Sequence, residues 1–268
     1  MKQLIKLLTS IFTLLLVFNT MLSVSSSAKK PFSGKTFSVA TSPNFPPFEN
    51  KTVDSNGDSK IVGFDMDLLK KLSKDLGFKY KIKETDFTGL IGYLQSGRAS
   101  LVISGMTATP ERAKSVDFSK SYFNAKTAVL HKNNIKIKSG KDLKGLKVAA
   151  VFNTQYADQA KKLAAKVTTL DTGTLVAQDL WNGSVQAAMM DQTKAETLLK
   201  DHKGYSYYVF TNKELNLSTP NTFSIAFTKG KNKKLQAAIN QKLKKYKKDG
   251  TLKKIAKKWM GTKVADYQ

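Results

Sequence analysis

The first half of the chain alternates between two kinds of hydrophobic spacing. Residues 36–42 (TFSVATS) and 79–85 (KYKIKET) show the alternation of half-buried strands, and residues 63–77 carry a helical apolar face that ends at a glycine. That face consists of Phe64, Leu68, Leu69, Leu72 and Leu76. A second helix is predicted at 87–98 and a buried strand at 99–106. The order strand, helix, strand, helix, strand predicts an α/β fold with a mostly parallel sheet flanked by helices.

The second half of the chain repeats this order. Strands are predicted at 146–153, 166–172 and 184–191, with helices at 154–165 and 173–183 between them. The sequence therefore predicts two similar lobes, each built on its own sheet.

The two halves can be overlaid on the glycines of LQSGRASLVISG and LWNGSVQAAMMD. This brings Gly105 level with Asp191, each at the end of a buried strand. Ligands of open α/β sheets bind at the carboxyl ends of the strands. Two facing lobes would therefore set Ser104, Gly105 and Arg112 opposite Asp191 across a cleft.

Two extended segments, at 127–134 and 223–230, look like crossovers between the lobes and would serve as the hinge. We therefore expect the first lobe in residues 29–127 and the second lobe in residues 128–222. Residues 223–268 would return to the first lobe and add basic C-terminal helices.

The N-terminus is typical of a secretory signal peptide, with a basic start, an apolar run at 11–18 and small residues before an expected cleavage site after Ala28. A membrane anchor needs about 18–20 uninterrupted apolar residues, and Asn19 and Thr20 interrupt this run. The chain contains no cysteine, so it offers neither a disulfide nor a residue for lipid attachment. We expect signal residues 1–28 to be removed from a secreted protein that is not lipid-anchored.

The chain is strongly basic, with 45 Lys plus Arg against 20 Asp plus Glu and a formal net charge of +25. Loss of the signal peptide would remove two lysines and no acid, which leaves +23. Such a surface attracts polyanions. For an exported chain we expect an anionic cell-wall polymer rather than nucleic acid, and this would retain the protein at the bacterial surface. The tail at 231–258 carries twelve lysines, although a lysine face is by default simply solvated.

One arginine stands out because the chain contains only two, Arg98 and Arg112. Thr109 is a good N-cap and Pro110 a good first helical residue, which places Arg112 in a first turn where the helix dipole disfavours a cation by about 0.3–1 kcal/mol. An anion held by the guanidinium and the free N–H groups of the turn would compensate. The alternative is a surface arginine paired with Asp117 or Glu111.

Several longer motifs resemble one family. GFDMDLLKKLSKDL, DFTGLIGYLQSGRASLVISGMTATPERAKSVDFSKSYF, LKGLKVAAVFNTQYADQA and VQAAMMD are similar to segments of the extracytoplasmic polar-amino-acid-binding proteins of ABC importers, solute-binding protein family 3. The resemblance covers nearly all of residues 36–267. It implies a type II periplasmic-binding-protein fold and a partner permease.

The resemblance also assigns residues to the two charged ends of an α-amino acid. Arg112 should hold the α-carboxylate, aided by Thr107 and Thr154. The α-ammonium should be held by the carboxylate of Asp191, the carbonyl of Gly105 and the hydroxyl of Ser104.

The pocket for the variable side chain should be walled by Phe45 and Phe87. Relatives that take basic ligands often have an acid near the position of Ser42, and glutamine binders usually have a lysine at Val151. Neither charge is present, and with Ser42 and Gln155 nearby a neutral polar ligand is favoured, since a fixed charge would be buried and unpaired. The chain most resembles the basic, non-lipidated cystine-binding and adhesion proteins of lactic acid bacteria, and cystine is the expected ligand.

Three classes of function compete on this fold. The first is the solute-binding component of an importer, and the second is an adhesin that binds wall polymer, mucus or matrix protein through its charge. The third is a dehydratase-like enzyme, since fold does not fix function. The only histidines, His131 and His202, are expected at the surface, so we predict a binding protein with no metal, no cofactor and no catalytic residue. We also expect it to be a monomer.

Overall fold

The structure is a computed structural model, and it describes residues 30–163 and 165–261. The predicted signal peptide and the last seven residues lie outside this range. Within it, no helix is both long enough and apolar enough to cross a membrane.

The first lobe is built on a five-stranded sheet in the order β5-β1-β6-β15-β7. Its strands are β1 (Thr36–Thr41), β5 (Lys79–Glu84), β6 (Leu101–Val102), β7 (Val116–Phe118) and β15 (Ala226–Thr228). Strand β15 runs antiparallel to both of its neighbours, whereas β5, β1 and β6 pair in parallel. The helices of this lobe are α1 (Phe64–Leu76), α2 (Leu90–Gln95), α3 (Pro110–Ser115), α7 (Lys233–Lys248) and α8 (Thr251–Met260).

The second lobe repeats this plan with a sheet in the order β11-β10-β12-β9-β13. Its strands are β9 (Thr127–Lys132), β10 (Lys147–Val151), β11 (Lys166–Leu170), β12 (Ala187–Asp191) and β13 (Tyr205–Val209). Strand β9 runs antiparallel to both of its neighbours, β12 and β13, whereas β10 pairs in parallel with β11 and β12. The helices are α4 (Gln155–Lys162), α5 (Gly173–Trp181) and α6 (Gln192–Leu199). The predicted two-lobed α/β architecture is confirmed.

The apolar face predicted for residues 63–77 forms the centre of the first core. All five predicted residues on α1 are buried, with at most 2% of their surface exposed. The helix ends at Gly77, whose φ of 85° suits glycine and whose N–H donates to the Ser73 carbonyl. Helix α7 packs on the same core through Leu235, Ile239, Leu243 and Tyr246. Helical periodicity was therefore sufficient to identify the buried face of α1.

The crossovers between the lobes differ from those expected. Residues 127–132 form β9, a strand inside the second sheet, so their prediction as a crossover is wrong. The paired crossover segments are instead β8 (Phe123–Asn124) and β14 (Thr222–Phe223), which form a two-stranded antiparallel ribbon. The smaller sheet of β2 (Asn44–Phe45), β3 (Glu49–Val53) and β4 (Ser59–Val62) lies in the first lobe.

Two predicted elements of the first lobe are shorter than their apolar pattern. The strand expected at 99–106 ends at Val102, because Gly105 takes a left-handed φ of 48° and donates its N–H to Asp65 rather than to a strand. The helix expected at 87–98 begins as a 3₁₀ turn (Phe87–Gly89) before α2. Both departures occur beside the cleft.

Candidate ligand-binding site

A cavity lies between the lobes at the carboxyl ends of their strands and encloses about 620 Å³, part of it open to solvent. Its lining comes from both lobes: Ser42, Asn44, Phe45, Glu49, Phe87, Gly105, Val151, Thr154, Gln155, Tyr156, Gly173, Val176, Met189, Met190 and Lys194. Most of the residues predicted from the sequence are in this set, and the other four, Ser104, Thr107, Arg112 and Asp191, lie beside it.

Arg112 is buried, with 8% of its surface exposed. Thr109 caps α3 by accepting the Arg112 N–H, and the guanidinium donates to the carbonyls of Thr107 (3.0 Å) and Asn153 (2.8 Å). Its central carbon lies 5.1 Å from the centroid of the Phe87 ring. Because Asn153 belongs to the second lobe, Arg112 also joins the two lobes.

The alternative of a surface ion pair is wrong for Arg112. Asp117 pairs with Lys229 and Lys233, and Glu111 pairs with Lys114. No carboxylate of the described residues lies within ion-pair distance of the guanidinium. Burial lowers the Arg112 pKa to about 10, so the group stays charged at neutral pH with donors to spare, since a guanidinium has five.

Asp191 ends β12 and is fully buried. Its Oδ1 accepts hydrogen bonds from the N–H and the hydroxyl of Thr193, which caps α6. Its Oδ2 has no partner among the described residues. Burial raises the pKa of Asp191 to about 6 against the lowering effect of Thr193, so the carboxyl is mostly ionised at pH 7 and one oxygen can accept a further donor.

The hydroxyl of Ser104 is already engaged within the protein. It donates to Glu49 Oε1 (2.7 Å) and accepts from the Ser42 N–H (3.0 Å). The hydroxyls of Ser42 and Thr107 are buried without a partner in the described part of the chain. In this structure Ser104 positions Glu49, and Ser42 retains a free hydroxyl at the cavity.

Phe45 fixes one wall of the cavity through close ring packing. It stacks on Phe48 with ring centroids 5.1 Å apart and meets Phe223 edge-on at 6.1 Å. A Cβ at Gly105 would lie 2.7 Å from the Phe45 ring, closer than van der Waals contact allows. Residue 105 must therefore be a glycine for both its φ and its proximity to the ring.

Two buried carboxyl groups, Glu49 and Asp65, are not among the site residues predicted from the sequence. Asp65 Oδ2 accepts from the Gly105 N–H (2.8 Å) and the Tyr122 hydroxyl (2.9 Å). Burial raises the pKa of Asp65 to about 7, and burial together with the Asp65 charge raises the pKa of Glu49 well above its usual value. Glu49 and Asp65 are hydrogen-bonded through their side chains, so the two carboxyl groups share one proton.

Lys194 is also not among the predicted site residues, although α6 places it in the cavity wall with 4% of its surface exposed. Burial lowers the Lys194 pKa to about 8, and the opposite charge of Glu49 acts against this lowering. The expectation of a pocket without fixed charge is therefore wrong. Neither residue gave a signal, because Glu49 begins a polar strand and Lys194 is one lysine among many.

The two histidines lie away from the cavity. His131 is 6% exposed within β9 and its ring contacts the Lys132 carbonyl, so the expectation of a surface position is wrong. His202 stacks on Trp181 with ring centroids 4.1 Å apart. Among the described residues no group of three or more potential metal ligands is present.

Residues 37–262 match the family model of bacterial extracellular solute-binding proteins, family 3. The chain is 32% identical over 239 residues to the arginine-binding extracellular protein ArtP of Bacillus subtilis, covering 88% of this chain and 90% of that protein. It is 32% identical over 236 residues to the L-cystine-binding protein TcyJ of Escherichia coli, covering 85% and 84%. A crystal structure of the substrate-binding protein of an amino acid ABC transporter matches with a TM-score of 0.77 and 37% identity, covering 85% of this chain and 100% of that one.

Proposed function

The chain belongs to the bacterial extracellular solute-binding proteins of family 3, and on that premise we propose that it is the extracellular amino-acid-binding component of an ABC importer. The names of its relatives support an amino acid as ligand, and the solved relative supports a transporter as partner. In this role the lobes close on the ligand and the closed form docks on a permease.

The observation that carries the proposal is a pair of buried opposite charges at one cleft. Arg112 is a cation with free donors and no carboxylate partner, and Asp191 is a carboxyl with a free oxygen. Leaving either group unpaired in a buried site is costly. An α-amino acid supplies the missing anion and the missing cation in one molecule.

Cystine is our first choice of ligand, as a molecule that is neutral overall. The sequence favoured cystine because no fixed charge was expected in the pocket, but the cavity does contain fixed charge. The structural argument for cystine is instead the balance of these charges. The Glu49–Asp65 pair shares one proton and adds one negative charge, and Lys194 adds one positive charge, so together with Arg112 and Asp191 the charges balance. A neutral ligand with charged ends fits such a balance better than a ligand with net charge.

Retention at the cell surface through charge is a second candidate function. Lysines line a groove between α1 and α8: Lys70, Lys71, Lys74, Lys254, Lys257 and Lys258. A second surface depression is lined by Lys120, Lys244, Lys247 and Lys248. These lysines favour an anionic cell-wall polymer as a binding partner. An enzymatic role has no comparable support, since both histidines lie away from the cavity.

The test is a thermal-shift screen of the signal-free protein against the amino acids, with cystine and arginine included. A ligand at 100 times its dissociation constant should stabilise the folded protein by about 2.7 kcal/mol. A rise for one or a few amino acids is expected. A flat response from protein shown to be folded would contradict the importer role and favour surface adhesion.

A further inference from the structure

Lys194 is a second buried cation of the cavity, and nothing in the sequence pattern or in the comparisons assigns it a role. Its ammonium makes no hydrogen bond or ion pair with any other residue that the structure describes. A Cβ built on Gly173 would lie 3.4 Å from its Cε and 3.9 Å from its Nζ. The ammonium therefore stands over the first residue of α5.

The N-terminus of α5 is an unusual place for a cation. The nine-residue helix is capped by Thr172, which accepts the N–H of Leu175 on its side chain and the N–H of Val176 on its carbonyl. The first N–H groups of an α-helix, here those of Gly173 and Thr174, have no partner within the helix. This end carries a partial positive charge, and Lys194 adds a full one. Both features are satisfied by an anion at the cavity wall.

Glu49 provides the complementary group from the opposite lobe. It lines the same cavity, is fully buried, and shares one proton with Asp65, so the pair carries one negative charge. Lys194 and Glu49 are near enough to interact electrostatically, yet they do not approach within the 4.0 Å of an ion pair. A carboxylate and an ammonium from one ligand would satisfy both groups.

This site is distinct from the one at Arg112. The guanidinium bonds the carbonyl of Asn153, which follows β10, whereas Gly173 follows the neighbouring edge strand β11. Neighbouring strands lie about 4.8 Å apart, so one ligand with two α-amino-acid ends can reach both sites.

Resting on the proposed function, we infer that Lys194 and the N-terminus of α5 form a second anion site. This site holds the far carboxylate of a bis-amino acid of the cystine type, while Glu49 accepts the far ammonium. The near end is held at Arg112 and Asp191. The cleft thus binds two zwitterionic groups of one ligand rather than a single one.

The experiment compares two ligands that differ only in the far carboxylate. Calorimetry measures the binding of cystine and of the mixed disulfide of cysteine with cysteamine, which keeps the far ammonium. Wild-type protein should prefer cystine by about 10- to 100-fold, the range expected for one charge-assisted contact. Lys194→Met should lose this preference and bind the mixed disulfide within about threefold of wild type, whereas Lys194→Arg should retain part of it.

Lys200→Met is the matched control, since Lys200 follows the same helix and is exposed. It should leave both affinities unchanged. Removing an unpaired buried cation should also raise the melting temperature of ligand-free Lys194→Met, which checks that the variant folds.

The outcomes separate this inference from the proposed function. Wild-type affinity for cystine in Lys194→Met, or an equal loss for both ligands, overturns the inference. Binding of arginine without a response to cystine also overturns it, but leaves the importer role standing. No binding of any amino acid overturns both.

Discussion

The cleft is defined at the scale of single residues by charged groups that the protein itself does not neutralise. Arg112 uses part of its guanidinium to bond two carbonyls, and these bonds fix its direction while leaving its charge without a counterion. Asp191 is held in the same way by Thr193. Each group is thus oriented in advance, which reduces the entropy lost when a ligand binds.

The first prediction concerns Arg112→Lys. Lysine keeps the charge but cannot make the two parallel bonds of a guanidinium to a carboxylate, nor reach both carbonyls. Breaking one partner of a buried charged contact typically costs about 3–5 kcal/mol, so calorimetry should show affinity for the amino acid reduced by about a hundredfold or more. Arg98→Lys is the control, because Arg98 is exposed and lies over the Tyr93 ring. Equal affinity in Arg112→Lys and wild type would refute the carboxylate role.

The second prediction follows from the buried carboxyl groups. The pKa of Asp65 is raised by burial to about 7, so between about pH 4 and 7 the folded chain holds a proton that the unfolded chain has lost. Stability therefore falls as pH rises through this window. Ligand-free protein should be more stable at pH 5.5 than at pH 7.5 by about 1–2 kcal/mol.

The measurement is denaturant unfolding at both pH values, with Asp65→Asn as the comparison. Carboxyls whose pKa is lowered, such as Asp117 beside Lys233, lose their contribution only below about pH 4 and do not affect the window. The asparagine variant should show a smaller pH difference. The same difference in both proteins would mean that the Asp65–Glu49 pair is not its source.

The site residues that could be predicted from the sequence are charged residues in unusual local positions. Arg112 could be predicted because the helix dipole disfavours a cation at a helix N-terminus. Asp191 could be predicted because it ends an apolar strand. Glu49 and Lys194 could not be found in this way. A glutamate in a polar strand and a lysine in a chain with many lysines conform to local rules, and only the tertiary fold buries them.

At the scale of elements, the lobes are joined where the crossovers meet α4. Thr127 donates its hydroxyl to Gln159 (2.8 Å) and accepts from the side chain of Asn221 (3.0 Å). One buried cluster therefore ties Asn221, which precedes β14, to β9 and α4 of the second lobe. Long periodic elements such as α1 were predictable because burial repeats along them. The ribbon of β8 and β14 was not, since two-residue strands have no period to detect.

The third prediction is that Thr127→Val destabilises the protein. Valine keeps the shape of threonine but leaves the buried amides of Gln159 and Asn221 without their partner, which costs about 1–3 kcal/mol. Thermal unfolding of Thr168→Val is the control, because Thr168 is an exposed residue of β11. A control as destabilising as Thr127→Val would mean that the effect is one of strand propensity rather than of the crossover cluster.

At the scale of the whole molecule, positive charge is concentrated away from the cleft. The cleft balances its buried acids and bases, whereas the groove between α1 and α8 gathers lysines around Asp67, which pairs with Lys258. Exposed charges are screened over about 8 Å at physiological salt and about 3 Å at 1 M, and buried charges much less. High salt should therefore separate the two proposed activities.

The fourth prediction is that intact cells washed with about 1 M salt release the bound protein, while calorimetry at that salt still detects amino-acid binding.

Charge reversal of the groove in Lys254→Glu/Lys257→Glu should lower the salt needed for release. A control of equal net charge, Lys81→Glu/Lys83→Glu, changes exposed lysines on β5 instead and should lower it less. Equal effects of the two double variants would mean that attraction is spread over the whole surface and the groove has no special part. Protein that leaves the cells only with detergent would indicate a membrane anchor and contradict retention by charge, because an electrostatic contact has no reason to survive 1 M salt.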